Sequence, residues 1–280
     1  MGPMLDCANL LAGPFTPNQV ISAFGGSEDI AFDGKGHIAG KSAGSIVLVD
    51  STGVVTSTVA MNVPQAYGLR YRPDGLLVVA LPQNGKVITI SPDGTVTDLV
   101  TGLAGPNGIY ADLEGNVWLT EIQGDRVSRI APDKTITVVA SGQAANSANG
   151  IVVDSLRSLV FYTDYGAGKV RRLDMSQPGA APEDVVTIDG TKLDGMALDA
   201  CGNIYVVDQG GSRLFRVRLD ASGAAKGPAE LLAEFPENVA NAQFGSGPGF
   251  EPTMLYAAGN PGVVYAVPVG VPGAPVPTVP

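Results

Sequence analysis

The chain has 280 residues, a formal charge of −10 and a pI near 4.5. Without clustered Lys and Arg to neutralise phosphates, a nucleic-acid partner is excluded, and no run of 18 or more apolar residues exists to span a bilayer. Thirty-seven glycines and 21 prolines in a composition that is 45% hydrophobic describe short strands joined by tight turns rather than amphipathic helices.

The opening stretch MGPMLDCANLLAGP lacks a charged region followed by a long apolar core, so the expectation is a soluble chain with no membrane partner, cytoplasmic or exported with its signal removed. Cys7 and Cys201 have neither metal-ligand spacing nor the pattern of a disulfide framework; a single bridge between them stays open. Gln19 to Phe24 (QVISAF) reads as a strand with no neighbour of its own in sequence.

Six related units follow, beginning at Glu28, Tyr67, Asn107, Asn149, Asp194 and Asn241, with successive starts 39, 40, 42, 45 and 47 residues apart. That period is one blade of a β-propeller. Each unit offers a short apolar strand, a turn such as Pro73-Asp74-Gly75 or Glu114-Gly115-Asn116, and a second apolar strand such as Val117 to Thr120. Third and fourth strands, as in Val127 to Ala131 and Thr135 to Ala140, complete it. The predicted fold is all-β: a single domain over 1–280, a six-bladed propeller with four-stranded blades. The sixth unit runs into a Pro-rich tail over 269–280 without a fourth strand, so QVISAF is expected to close that blade and remove an exposed sheet edge.

In such a ring the first strand of each blade lines the channel and the second runs back antiparallel to it. The starts of the units and the ends of second strands (Lys41, Leu81, Glu121, Asp164, Asp208, Gly259) therefore share one rim. Five of the six inner positions, all but Tyr67, carry a carboxylate or side-chain amide, an oxygen donor set suited to a hard divalent cation. The bland alternative is that Asn-Gly and Asp-Gly pairs serve only turn geometry. Glu28 in the same register argues against it, because Glu is a poor turn former and an unpaired carboxylate in a channel is costly. For Tyr67 and Asn241 packing or substrate contact is the simpler role. The single histidine, His37, falls at the opposite rim, which leaves no Ser-His-Asp triad, no His dyad and no imidazole-held zinc.

The ordered set Glu28, Asn107, Asn149 and Asp194 on blades one, three, four and five resembles the gluconolactonase, regucalcin (senescence marker protein) and LRE-like superfamily, over residues 20–268. The blades also look like NHL repeats, and the first, SEDIAFDGKGHIAG, has a strictosidine synthase-like flavour. The resemblance implies that Glu28, Asn149 and Asp194 hold a divalent metal, Ca²⁺ first, with Mg²⁺, Mn²⁺ or Zn²⁺ as alternatives. Asn107 would lie beside the metal and contact water or substrate. The implied activity is metal-dependent hydrolysis of lactones or related esters by a monomer acting on a small-molecule substrate. Asp194, or Glu121 as its rival, would be the base, and Gln65, Tyr67, Tyr165, Asp208 and Asn241 would shape the pocket. One departure concerns the substrate: Gly105 stands where gluconolactonases carry an Arg that grips sugar hydroxyls. Competing expectations are a strictosidine synthase-like enzyme without hydrolysis and a non-catalytic binding propeller.

Overall fold

A computed structural model of the chain describes residues 5–63 and 65–280. Its 24 strands form six antiparallel four-stranded sheets arranged as a six-bladed propeller. The inner strands are Ile30–Phe32, Leu69–Tyr71, Pro106–Ala111, Ala148–Asp154, Leu193–Leu198 and Asn241–Phe244. The second strands of blades two to five, Leu77–Leu81, Val117–Glu121, Leu159–Asp164 and Ile204–Asp208, are buried along their whole length. Each is covered on both faces by neighbouring blades, which is why they read as continuous apolar runs and not as alternating strands. Outer strands such as Val55–Ala60 are largely exposed.

The core lies between blades. One apolar cluster joins blades three, four and five through Tyr110, Trp118, Val152, Phe161, Met196 and Val206. Others join blades five and six, one and two, six and one, and two and three, so the packing is continuous around the ring.

Blade six is closed as the sequence predicts: Asn18–Ile21 supplies its outer strand, with Asn18 opposite Ala266 and Gln19 opposite Tyr265. The segment before it is strapped to blade five. Cys7 and Cys201 are disulfide-bonded, the Phe15 N–H donates to the Leu232 carbonyl, and the buried Arg216 guanidinium donates to the Leu11 carbonyl at 2.8 Å. The Pro-rich tail is likewise ordered on the protein. Ala274 N–H donates to the Leu198 carbonyl and Val279 N–H to the Asp33 carbonyl, which draws residues 274–277 across the far end of the channel. Among the described residues no helix is long and apolar enough to cross a membrane.

The disulfide spans 194 residues of sequence. Removing it by Cys7→Ser is expected to cost about 2–4 kcal/mol of stability. Denaturant titration checks this: wild-type protein in reductant should match the variant, and reductant should leave the variant unmoved.

Candidate functional site

The rim where the six units begin is built by close approach of backbones. In blades three, four and five the pairing of inner with second strand slips by one residue, between Pro106 and Ile109, Ala148 and Ile151, and Leu193 and Met196. Each slip is a bulge, a device that re-aims a side chain at a sheet end, and each holds one candidate residue and its following glycine: Asn107-Gly108, Asn149-Gly150 and Asp194-Gly195. These glycines are not turn residues. A Cβ on Gly108 would lie 2.1 Å from the Asn149 carbonyl oxygen, and one on Gly150 would lie 2.1 Å from that of Asp194. The inner strands can converge only because no side chain stands between them.

Two threonines lock this contact. Thr120 accepts the Gly108 N–H at 2.8 Å and donates to the Asn149 carbonyl at 2.5 Å; Thr163 accepts the Gly150 N–H at 2.8 Å and donates to the Asp194 carbonyl at 3.0 Å. Gly68 N–H reaches the Asn107 carbonyl directly at 3.1 Å. Ring residues of successive blades are therefore fixed relative to one another through the main chain.

The outcome is one cavity walled by Glu28, Tyr67, Asn107, Asn149, Asp194 and Asn241, joined by Asp29 and Arg70. Asp194 is 7% exposed, and its carboxylate accepts no hydrogen bond among the described residues. Burial first, then the charges of Glu28 and Asp29, push its pKa well above the ordinary 3.8. Glu28 is also raised by burial, partly offset by a hydrogen bond from the Asn260 amide at 3.1 Å and by the charge of Lys41. The Tyr67 phenol is raised by burial and by these same two carboxylates. Asn149, 3% exposed, has its side-chain Oδ1 buried without a hydrogen-bond partner. Asn241 spends its Oδ1 on the Ala242 N–H at 2.8 Å and is the ring member held by its own backbone.

Glu121 and Asp208 do not belong to this cavity, which corrects the expectation that they serve as rival base and pocket wall. Successive strand residues point to opposite faces. Because Thr120 turns its hydroxyl to the ring contact, Glu121 points away from it. Its carboxylate accepts the Ala104 N–H at 2.8 Å and lies 3.5 Å from Arg126. Asp208, fully buried, accepts the Lys192 N–H at 2.8 Å and the Arg213 Nε–H at 2.9 Å; Asp164 accepts the Ala167 N–H at 3.0 Å and is ion-paired with Arg171 at 3.4 Å. All three fix rim loops to a third-strand arginine.

Gln65 is exposed, with a left-handed φ of 59°, and lies outside the cavity wall. Tyr165 sits at the mouth, close enough to Asp194 and Glu28 for both to raise its pKa after burial, and donates its hydroxyl to Gln209 at 2.9 Å. His37 is at the far rim, paired with Asp33 at 2.8 Å.

Sequence reasoning missed Asp29 and Arg70. Asp29 accepts hydrogen bonds from the Ile30 and Leu69 N–H groups, both at 2.9 Å, and from Arg70. Burial pushes its carboxyl up, while Arg70 and the two amides pull it back. Arg70 lines both the ring cavity and the apolar chamber below it, so the pair forms the floor of the site. The signal was present as an aspartate beside Glu28 and an arginine in an otherwise apolar inner strand.

The donor set fits a divalent cation. The buried Asp194 carboxylate, which lacks any hydrogen bond, and the half-buried Glu28 carboxylate share a cavity with an orphaned amide oxygen, and burying such groups uncompensated is unfavourable. All the donors are oxygens, as hard cations prefer.

No protein-family model and no curated protein matches the sequence. Solved structures with the same fold include a gluconolactonase from Xanthomonas campestris, 15% identical, TM-score 0.73, covering 94% of this chain and 99% of that one. A calcium-binding protein, regucalcin, from Agrobacterium tumefaciens is 17% identical, TM-score 0.73, covering 96% and 100%. A luciferin-regenerating enzyme is 16% identical, TM-score 0.73, covering 97% and 99%.

Two outcomes are expected. Gly150→Ala should cost about 1–3 kcal/mol or prevent folding, since the added methyl meets main chain that cannot give way; thermal unfolding checks it. In chelator, Asp194→Asn should be more stable than wild type at neutral pH by about 1–3 kcal/mol. The raised native pKa fixes the sign: the penalty on the charged form is absent below 3.8 and grows as pH rises through the native value, so the gap should close in acid. Melting curves of both proteins from pH 3 to 8 measure it.

Proposed function

We propose that the ring binds a divalent cation and that the protein hydrolyses lactones or related esters there. The observation that carries the reading is the buried, unpartnered Oδ1 of Asn149 in one cavity with the Glu28 and Asp194 carboxylates. Names attached to the structural neighbours, a gluconolactonase and a calcium-binding protein, support the same reading. The all-oxygen donor set favours Ca²⁺, with Mg²⁺ and Mn²⁺ next and Zn²⁺ after them.

Glu28, Asn149 and Asp194 would hold the cation. When bound, it would polarise a substrate carbonyl and acidify a water molecule. The half-buried Asn107 amide, which has no side-chain partner among the described residues, orients that water or the substrate. With Glu121 turned away, Asp194 would accept the proton released as water attacks. Tyr67 and Tyr165 form the wall and mouth against which the substrate rests, and Asn241 extends the wall. At Gly105 the φ of 67° is left-handed and a Cβ would stand 3.0 Å from the Gln123 side chain, so no sugar-gripping arginine occupies that position.

We also propose that the protein works in an oxidising compartment, because the Cys7–Cys201 bridge persists only there.

A panel of lactones and esters, assayed after chelation and after adding back Ca²⁺, Mg²⁺, Mn²⁺ or Zn²⁺, tests the activity. Chelation should abolish turnover and a single cation should restore it, with kcat of Asp194→Asn lower by about 10²–10⁴-fold. Turnover indifferent to chelator, or none on any substrate with cation present, overturns the reading.

A further inference from the structure

The charged side chains in the cavity wall are Glu28, Asp29, Asp194 and Arg70. Asp29 and Arg70 are 2% and 7% exposed and are bonded to each other. Two backbone amides on Asp29 and the Leu69 carbonyl on Arg70, at 2.5 Å, hold the pair rigidly beneath the ring. Lys41 approaches Glu28 from outside, at the half-exposed rim, and is not part of the wall. Three carboxylates against one guanidinium leave a formal charge of −2. The acidic cluster does not stand alone as a sign of a ligand, for the buried Asn149 Oδ1 is unpartnered in the same wall.

We propose that Arg70, through its pairing with Asp29, sets the valence selectivity of the site: it trims the charge of the wall to the value one divalent cation neutralises. This rests on the cation reading above. In a partly dehydrated cavity each unit of uncompensated charge favours a trivalent over a divalent ion of similar size, because the extra ionic charge interacts once more with it. Arg70 is neither a ligand nor a group that touches the reacting atoms. It acts from the floor, as a fixed counter-charge.

The test measures Ca²⁺ and Tb³⁺ affinities of the full chain by calorimetry and tyrosine-sensitised terbium luminescence. Arg70→Met, which leaves −3, should raise the Tb³⁺ to Ca²⁺ affinity ratio on the order of tenfold. Asp29→Asn, which leaves −1, should lower the ratio by a similar factor, and Arg70→Lys should keep it. The double variant Asp29→Asn/Arg70→Met restores −2 and should return the ratio towards wild type. A merely structural role for the pair would weaken both ions together and leave the ratio alone. Should Arg70→Met fail to fold, Asp29→Asn decides. An unchanged ratio in a folded variant, with wild type binding Ca²⁺, overturns the proposal and spares the cation reading; wild type binding neither ion overturns both.

Discussion

Everything at the candidate site follows from how closely the inner strands approach one another at the rim. At Gly108 and Gly150 the next blade's carbonyl occupies the space a Cβ would need. Thr120 and Thr163 then convert contact into a hydrogen-bonded link from one blade to the next. Bulges at the same places free Asn107, Asn149 and Asp194 from the regular ladder. The same contacts that close the ring thus position the side chains of the candidate site.

That arrangement opposes the stability of the protein without a ligand. Asp194 is pushed toward protonation first by burial and then by neighbouring carboxylates, Glu28 by burial against the pull of Asn260 and Lys41, and Asn149 leaves an acceptor unmet. A packed interior ordinarily satisfies such groups. Elsewhere on the rim Asp164 and Asp208 are each matched to a loop amide and an arginine, while Glu121 takes the Ala104 N–H on one oxygen and leaves the other without a hydrogen bond, 3.5 Å from Arg126. Asp194, in the channel cavity, has no such match among the described residues.

Much of this was legible in the sequence. Unit spacing gives six blades, the missing fourth strand of unit six gives the closure by Asn18–Ile21, and the first residues of all six units do meet in one cavity. The misreadings have physical causes. Placing Glu121 and Asp208 by rim alone ignored the pleat, which sends Thr120 and Val207 to one face and their neighbours to the other. Asn-Gly pairs look like turns because a glycine required for lack of volume cannot be told from one required for its φ. Asp29 and Arg70 are 41 residues apart, and only the placement of blade two beside blade one pairs them. The tail over 269–280 has no strand pattern, so its course across the far end of the channel carries no periodic signal.

The most direct measurement is an anomalous difference map from crystals soaked in Mn²⁺. A single strong peak at the channel mouth, within about 2.0–2.6 Å of carboxylate oxygens of Glu28 and Asp194 and of Asn149 Oδ1, is the result this structure predicts. A map with no peak there, or with the three side chains turned to separate partners, would contradict it.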